Sequence, residues 1–303
     1  MTISYKSKVI FFLLLAVSLF VAGCGSDGVS ARENFRVGNQ ALEMRFLRPG
    51  AEDFFAGEQL TILVEFFNRG TADITNGRFF VTGYDLSYIR LGLDPAFITI
   101  DGKSEFDPRG DFSQILTIQS TAPVRMPENT EEFRQSVKLT ACFEYTTFAT
   151  AEICVDPDPF GRRVINRICN MAPVSPGPQG APIVITRVEP RVSGNDFRLT
   201  IDFANQGRGV AYDRRISHEK CLVDLDAFQD LNKVDLIRVD FSGRTMDCQP
   251  RNPLRMTDGR GRIVCDCVGC INEYVDAYRT QVSIELKYGY RQEILKPIRI
   301  LRG

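Results

Sequence analysis

Three cysteines near the C-terminus have the residue type and spacing with the clearest chemical potential. Cys265, Cys267 and Cys270 form the pattern C-x-C-x-x-C. As thiolates they could bind zinc, because C-x-x-C is a favoured ligand spacing. As a redox pair, Cys267 and Cys270 would need a helix N-terminus to lower the thiol pKa, and residues 271–277 could form one short turn of helix. As disulfides they would only cross-link the fold, so the compartment decides which chemistry applies.

The first 33 residues predict that compartment. Lys6 and Lys8 precede an uncharged apolar run over residues 9–22, which is too short to span a bilayer core of about 30 Å and is typical of a signal peptide. The run ends in LFVAGCG, which resembles the lipobox of secreted lipoproteins, where the Cys is acylated and becomes the new N-terminus. We therefore expect a lipoprotein signal peptide over residues 1–23 and lipid on Cys24. An ordinary cleaved signal, with no role for Cys24, is the alternative.

An exported location favours oxidised cysteines. Eight cysteines remain after Cys24, and an even number outside the cell predicts a disulfide set. The second C-x-x-C of a zinc ribbon is also missing, so disulfides are favoured over zinc. The eight are Cys142, Cys154, Cys169, Cys221, Cys248, Cys265, Cys267 and Cys270.

Sequence spacing suggests some pairings but leaves alternatives open. If Phe143 and Ile153 faced each other in the core, Cys142 and Cys154 would be cross-strand neighbours that could bridge. The competing partner for Cys154 is Cys169. Separately, a bond from Cys248 to Cys265 would close a loop whose Asp-Gly pair, at 258–259, is a hairpin turn signal.

Two blocks of sequence are repeated in the same order. Residues 60–70 and residues 197–207, which lie 137 positions later, share an alternating apolar pattern that ends in Asn-x-Gly. Residues 133–145 match residues 278–290 at an offset of 145 positions. The larger offset indicates extra residues in the middle of the second half. We interpret the chain as a tandem repeat.

A linker rich in proline and glycine separates the two copies. Residues 171–182 (MAPVSPGPQGAP) are unlikely to run through a sheet or helix and indicate a domain boundary. We therefore expect a polar tether at 24–33, a first domain at 34–170 and a second, cysteine-rich domain at 183–303. Short alternating segments in each half predict an all-β fold of two tandem antiparallel immunoglobulin-like β-sandwiches.

Further segments complete this expectation. The additional predicted strands are 41–46, 78–82, 112–119, 183–188, 236–241 and 292–300. Pro297 predicts that the last of them lies at a sheet edge. The helix candidate of note is 223–232.

The arrangement of strands and turns resembles a known family. Residues 41–46 (ALEMRF), 56–58 (AGE) and a long strand ending in Asn68-x-Gly70-x-Ala72 are similar to the immunoglobulin-like CARDB domains of cell-adhesion-related surface proteins. In the second half, residues 181–188 (APIVITRV) and 205–207 (NQG) resemble the same family features. The combined layout also resembles cell-surface lipoproteins of archaea. The resemblance implies an adhesion or scaffold role and carries no catalytic residues.

Two acidic loops and one histidine also have side chains that could form a site. Asp156 and Asp158 in one loop, and Asp224 and Asp226 in another, could supply oxygens to calcium, but no EF-hand loop exists and solvated loops are the favoured interpretation. His218, in a charged segment, is expected to be a surface histidine.

Charge and composition narrow the function. The 37 basic and 38 acidic residues leave no basic excess, which argues against nucleic-acid binding. The sequence has one histidine and lacks the motifs of nucleophilic hydrolases, zinc proteases and phosphate-binding loops. It therefore gives no reason to expect an enzyme or a cofactor. We expect a membrane-anchored cell-surface module that binds proteins or glycans. The alternative is an exported thiol-redox or metal-binding protein that uses the C-x-C-x-x-C cluster.

Overall fold

The computed structural model describes residues 34–48, 50, 52–92, 97–110, 112–162, 166–223 and 225–303. The predicted signal peptide, the lipidated Cys24 and the tether lie outside the described residues. Within the described part, no helix is long and apolar enough to cross a membrane.

Strands make up most of the structure. The first half contains β1 (Leu42–Phe46), β2 (Glu52–Phe55), β3 (Thr61–Asn68), β4 (Ile74–Thr82), β5 (Leu91–Gly92), β6 (Phe97–Ile100), β7 (Ser113–Ser120) and β8 (Glu132–Val155). The second half contains β9 (Ile183–Ser193), β10 (Asp196–Asn205), β11 (Val210–Tyr212), helix α1 (His218–Val223), β12 (Lys233–Phe241), β13 (Arg244–Thr245), β14 (Asp247–Gln249), β15 (Leu254–Arg255), β16 (Arg260–Cys267) and β17 (Tyr278–Leu301). The predicted all-β class is confirmed.

Three sheets organise these strands. Two four-stranded sheets have the orders β1-β3-β7-β5 and β14-β16-β10-β9. A nine-stranded sheet follows the order β13-β12-β17-β8-β4-β6, with β2, β11 and β15 attached to it. β8 and β17 pair antiparallel along their whole length of 24 residues each. One sheet therefore runs through both halves.

Each four-stranded sheet packs its apolar face on the long sheet. In the first half, Phe66 of β3 contacts Phe79 of β4, with ring centroids 4.9 Å apart. In the second, Phe197 of β10 stacks on Phe241 of β12 at 4.1 Å. All four rings are buried. Burying one such side chain contributes about 1.5–3 kcal/mol, so these inward rows hold the sheets together as sandwich-like layers.

The Asn-x-Gly turn of the first half is fixed by a tyrosine from the long sheet. Asn68 Oδ1 accepts the Gly70 N–H at 3.1 Å, and Asn68 Nδ2 donates to the Ala72 carbonyl at 2.7 Å. The Tyr145 hydroxyl donates to Asn68 Oδ1 at 3.2 Å and accepts the Ala72 N–H at 3.3 Å. One buried ring thus locks the end of β3 to β8.

The second half repeats this network with its own residues. Asn205 Oδ1 accepts the Gly207 N–H at 3.1 Å, and Asn205 Nδ2 donates to the Gly209 carbonyl at 2.9 Å. The Tyr290 hydroxyl donates to Asn205 Oδ1 at 3.2 Å and accepts the Gly209 N–H at 2.9 Å. The tandem repeat therefore extends to individual hydrogen bonds. The domain limits at 34–170 and 183–303 stay predictions.

The predicted helix at 223–232 is wrong in position. Helix α1 begins earlier, at His218, where the Ser217 hydroxyl accepts the Lys220 N–H at 3.3 Å as an N-cap. Farther along, the Asp226 carboxylate accepts the N–H groups of Phe228 and Gln229 at 2.7 and 2.6 Å. Such side-chain bonds compete with helix formation, so this segment forms turns.

The prediction that the strand containing Pro297 lies at a sheet edge is also wrong. β17 lies inside the long sheet, with β8 on one side throughout. On the other side, β11 pairs up to Arg291 and β2 pairs from Ile298. Among the described strands, Pro297 falls in the gap between these two partners, where its missing N–H breaks no ladder bond.

Candidate functional site

The structure forms four disulfide bonds from the eight cysteines. The pairs are Cys142–Cys221, Cys154–Cys169, Cys248–Cys265 and Cys267–Cys270. Such a set is consistent with an exported, non-cytoplasmic protein. Sequence spacing had suggested two of these pairs, Cys154–Cys169 and Cys248–Cys265.

The hypothetical Cys142–Cys154 pair is wrong, because no hairpin separates the two residues. Both lie on the same uninterrupted strand, β8, twelve positions apart. At about 3.3 Å per residue they are roughly 40 Å apart. Phe143, expected to face Ile153, instead faces Tyr290 of β17.

Cys142 pairs with an insertion in the second half. Helix α1 follows β11 and lies over the outer face of the long sheet, where Cys221 reaches Cys142 with Cα atoms 6.4 Å apart. Both cysteines and Tyr212 are buried in one small cluster. Arg78 of β4 also forms an ion pair with Glu219 of α1 at 2.5 Å. The extra residues of the second copy therefore link it to the first.

His218, expected to be a surface histidine, is the first residue of this helix and is half-buried. Burial lowers its pKa, and the neighbouring Arg78 cation lowers it further, while Glu219 and Glu144 act in the opposite direction. Its Nε2 atom is buried without a partner among the described residues. The neutral imidazole is the form that this position favours.

The carboxylates considered for calcium have other partners. Asp156 and Asp158 are buried, and Arg167 reaches them at 3.0 and 3.5 Å, respectively. Arg167 supplies the positive charge that faces these two carboxylates, which are buried and not solvated as expected. In the other loop, Asp226 serves as the turn acceptor described above, and Asp224 lies outside the described residues.

The C-x-C-x-x-C cluster is divided between two bonds. Cys265 pairs with Cys248 of the neighbouring strand β14, and their Cα atoms are 4.0 Å apart. Cys267 pairs with Cys270, with Cα atoms 5.6 Å apart. Sulfurs held in disulfides provide no thiolates for zinc. Over the described stretch 271–277, turns follow Cys270 in place of a helix.

Two loops form the candidate site: the loop after β8, from the first half, and the loop after β16, from the second half. The Cys154–Cys169 bond holds the loop after β8, and the Cys267–Cys270 bond holds the loop after β16. Backbone bonds connect these segments to their neighbours: the Ile271 N–H donates to the Asn195 carbonyl at 3.0 Å, and the Ala277 N–H to the Asn166 carbonyl at 3.2 Å. We call this region the stapled loop end.

Large apolar side chains project from the stapled loop end. Phe160 is 76% exposed, Ile168 61%, Val268 80% and Tyr274 85%. A single exposed apolar residue is ordinary, but several on neighbouring loops indicate an interaction surface. Sequence reasoning missed them because alternation identifies core positions of strands and says nothing about loop residues.

Phe160 and Val268 border a groove of about 630 Å³. Its other lining residues are Pro159, Met171, Arg191, Val192, Ser193, Asp196, Phe197, Arg198 and Asp266. Arg198 forms a two-point ion pair with Asp266 at 2.6 and 3.3 Å, which neutralises both charges. The groove therefore combines apolar lining residues with charged ones, of which Arg198 and Asp266 neutralise each other.

Comparisons with known proteins add no relative: no protein-family model matches the chain, and no curated protein matches it.

Proposed function

We propose that this protein is an exported module, anchored to the outer face of the cell membrane by lipid on Cys24, that binds a surface protein or glycan. The observation that carries the proposal is the exposure of Phe160, Val268 and Tyr274 on loops held by disulfides. Loops positioned by a rigid sandwich are common recognition surfaces. The lipobox-like sequence before Cys24 supports the anchor.

Preorganisation explains why such loops suit binding. Ordering a flexible side chain or loop on binding costs about 0.5–1.5 kcal/mol for each immobilised side chain. The two disulfides and the backbone bonds from Ile271 and Ala277 fix these loops before a partner arrives. The groove is lined in part by Phe160, Met171 and Val268, and its Arg198–Asp266 pair is already satisfied, so its chemistry favours an apolar protein segment over a glycan.

Crosslinking on intact cells tests the proposal. Full-length protein is expressed in its native host with Val268→Ser and Tyr274→Ser, and crosslinked partners are identified by mass spectrometry. Phe106→Ser is the matched control, because Phe106 is 92% exposed in the first half and away from the groove. We expect the double variant to lose a partner that the wild type and the control both retain. Identical crosslinks in all three would contradict the proposal.

The anchor has its own test. Cys24→Ser in the full-length protein should abolish partitioning into the detergent phase of Triton X-114. Unchanged partitioning would contradict lipid attachment at this residue.

A further inference from the structure

We propose that Cys267 and Cys270 form a thiol–disulfide exchange centre, with Cys270 as the attacking thiol and Cys267 as the resolving thiol. The inference does not depend on the proposed binding function. It rests on the partial exposure of Cys270, on the cation beside its sulfur and on the short loop that the bond closes.

The two sulfurs differ in their surroundings. Cys267 ends strand β16 and is buried, whereas Cys270 is partly exposed beyond a turn. Between them, Val268 projects into solvent and Gly269 adopts a left-handed backbone (φ 65°). The Gly269 N–H donates to Asp196 Oδ1 at 2.9 Å, which holds the turn in place when the disulfide opens. An accessible sulfur beside a buried one is the arrangement that sequential exchange requires.

Arg244 points its charge at the exposed sulfur. Its Nη1 donates to Cys270 Sγ at 3.8 Å. Arg244 lies on β13, which pairs with the end of β12, so its backbone is part of the long sheet. A neighbouring cation stabilises a thiolate and lowers the thiol pKa, which is how exported and cytosolic redox cysteines become reactive at neutral pH. The cation thus performs the role that a helix N-terminus has in other C-x-x-C motifs.

The other disulfides have a structural character. Cys142, Cys221 and Cys265 are fully buried, and Cys248 and Cys154 nearly so. Cys169 is partly exposed, as Cys270 is, but Arg244 lies beside Cys270. Those bonds join residues 79, 15 and 17 positions apart, whereas Cys267 and Cys270 are 3 positions apart. A bond that closes so short a loop restricts the unfolded chain least, so opening it should cost the least stability of the four bonds.

The exchange balances as two thiolate displacements. In the reduced form, the Cys270 thiolate attacks one sulfur of a partner disulfide; a Cys270–partner bond forms and the other partner sulfur leaves as a thiolate. The Cys267 thiolate then attacks Cys270 Sγ, the Cys267–Cys270 bond forms, and the first partner sulfur leaves as a thiolate. The partner gains two electrons and the cysteine pair loses two. With a dithiol as the reductant, the same steps run in reverse.

Graded reduction tests the proposal on the detergent-solubilised full-length protein. The protein is equilibrated with increasing dithiothreitol, alkylated, and mapped by mass spectrometry. We expect Cys267 and Cys270 to be labelled together at concentrations that leave the other six cysteines paired. Labelling of another pair first, or of all eight at once, would overturn the inference.

Single-cysteine variants and a substitution of Arg244 test the assigned roles. Cys267→Ser leaves Cys270 as a lone thiol and should form a mixed disulfide with hydroxyethyl disulfide several-fold faster at pH 7 than Cys270→Ser does. Arg244→Gln in the Cys267→Ser protein should slow that reaction several-fold and move its pH profile upward, while Arg279→Gln, an arginine engaged with Glu152, should not. Equal rates for the two serine variants, or an unchanged pH profile for Arg244→Gln, would refute the roles of Cys270 and Arg244.

Discussion

Removing the Cys142–Cys221 bond should cost more stability than removing either of the bonds formed by Cys265 and Cys267. The two residues are 79 positions apart, against 17 for Cys248–Cys265 and 3 for Cys267–Cys270. The chain-entropy relation gives about 4.5 kcal/mol for the first loop, about 3 kcal/mol for the second and about 1.6 kcal/mol for the third. The loss of unfolding free energy should therefore be largest when the first bond is replaced by two alanines, intermediate for the second and smallest for the third.

The assay is urea denaturation of C142A/C221A, C248A/C265A and C267A/C270A, followed by far-ultraviolet circular dichroism. The β8–β17 ladder still joins the halves in every variant, so we expect one cooperative transition each, with the midpoint lowest for C142A/C221A. A smaller loss of unfolding free energy in C142A/C221A than in C248A/C265A would refute the reasoning that the insertion links the two halves. Two separate transitions in the wild type would contradict the shared sheet.

Three other predictions concern single side chains. Tyr145→Phe and Tyr290→Phe should each cost about 1–3 kcal/mol in urea unfolding, because each removes the acceptor of a turn N–H, that of Ala72 or of Gly209; a loss in one half alone would contradict the repeated network. Arg167→Met should raise hydrogen exchange in the loop after β8, because the buried Asp156 carboxylate loses its cation; unchanged exchange would refute that role. His218 should titrate by NMR with a midpoint below 6.5, because burial lowers its pKa. The free energy of unfolding should therefore fall as the pH drops below about 6.5, and His218→Gln should flatten that dependence. A midpoint above 6.5 would reverse the predicted direction of the pH dependence.

Alternation and turn residues were enough to predict the local strands. The pattern over residues 60–70, with its terminal Asn-x-Gly, corresponds to β3 and the turn after it. The matching block at 197–207 corresponds to β10 and its turn. These elements follow from which face of each segment is apolar, which is a local property.

The features that could not be predicted from the sequence depend on contacts between residues that are far apart in the chain. The length of β8 was missed because nothing local marks Cys142 and Cys154 as parts of one strand, and the pairing with Cys221 follows from where an insertion folds back. Lys296 is another case: it takes an inward position on β17, fully buried, where its Nζ donates to the Arg48 carbonyl and pairs with Glu52 Oε2 at 3.1 Å. A charged residue at a core position becomes understandable only when its partners from another strand are known.

The intact mass of the mature protein, isolated from cells and alkylated before and after reduction, is the most direct test of export, lipid anchoring and the disulfide set. We expect a chain that begins at Cys24 and carries lipid, with no alkylated cysteine before reduction and eight after it. A chain that retains Met1 and reacts with the alkylating reagent without reduction would contradict export, anchoring and the disulfide set together.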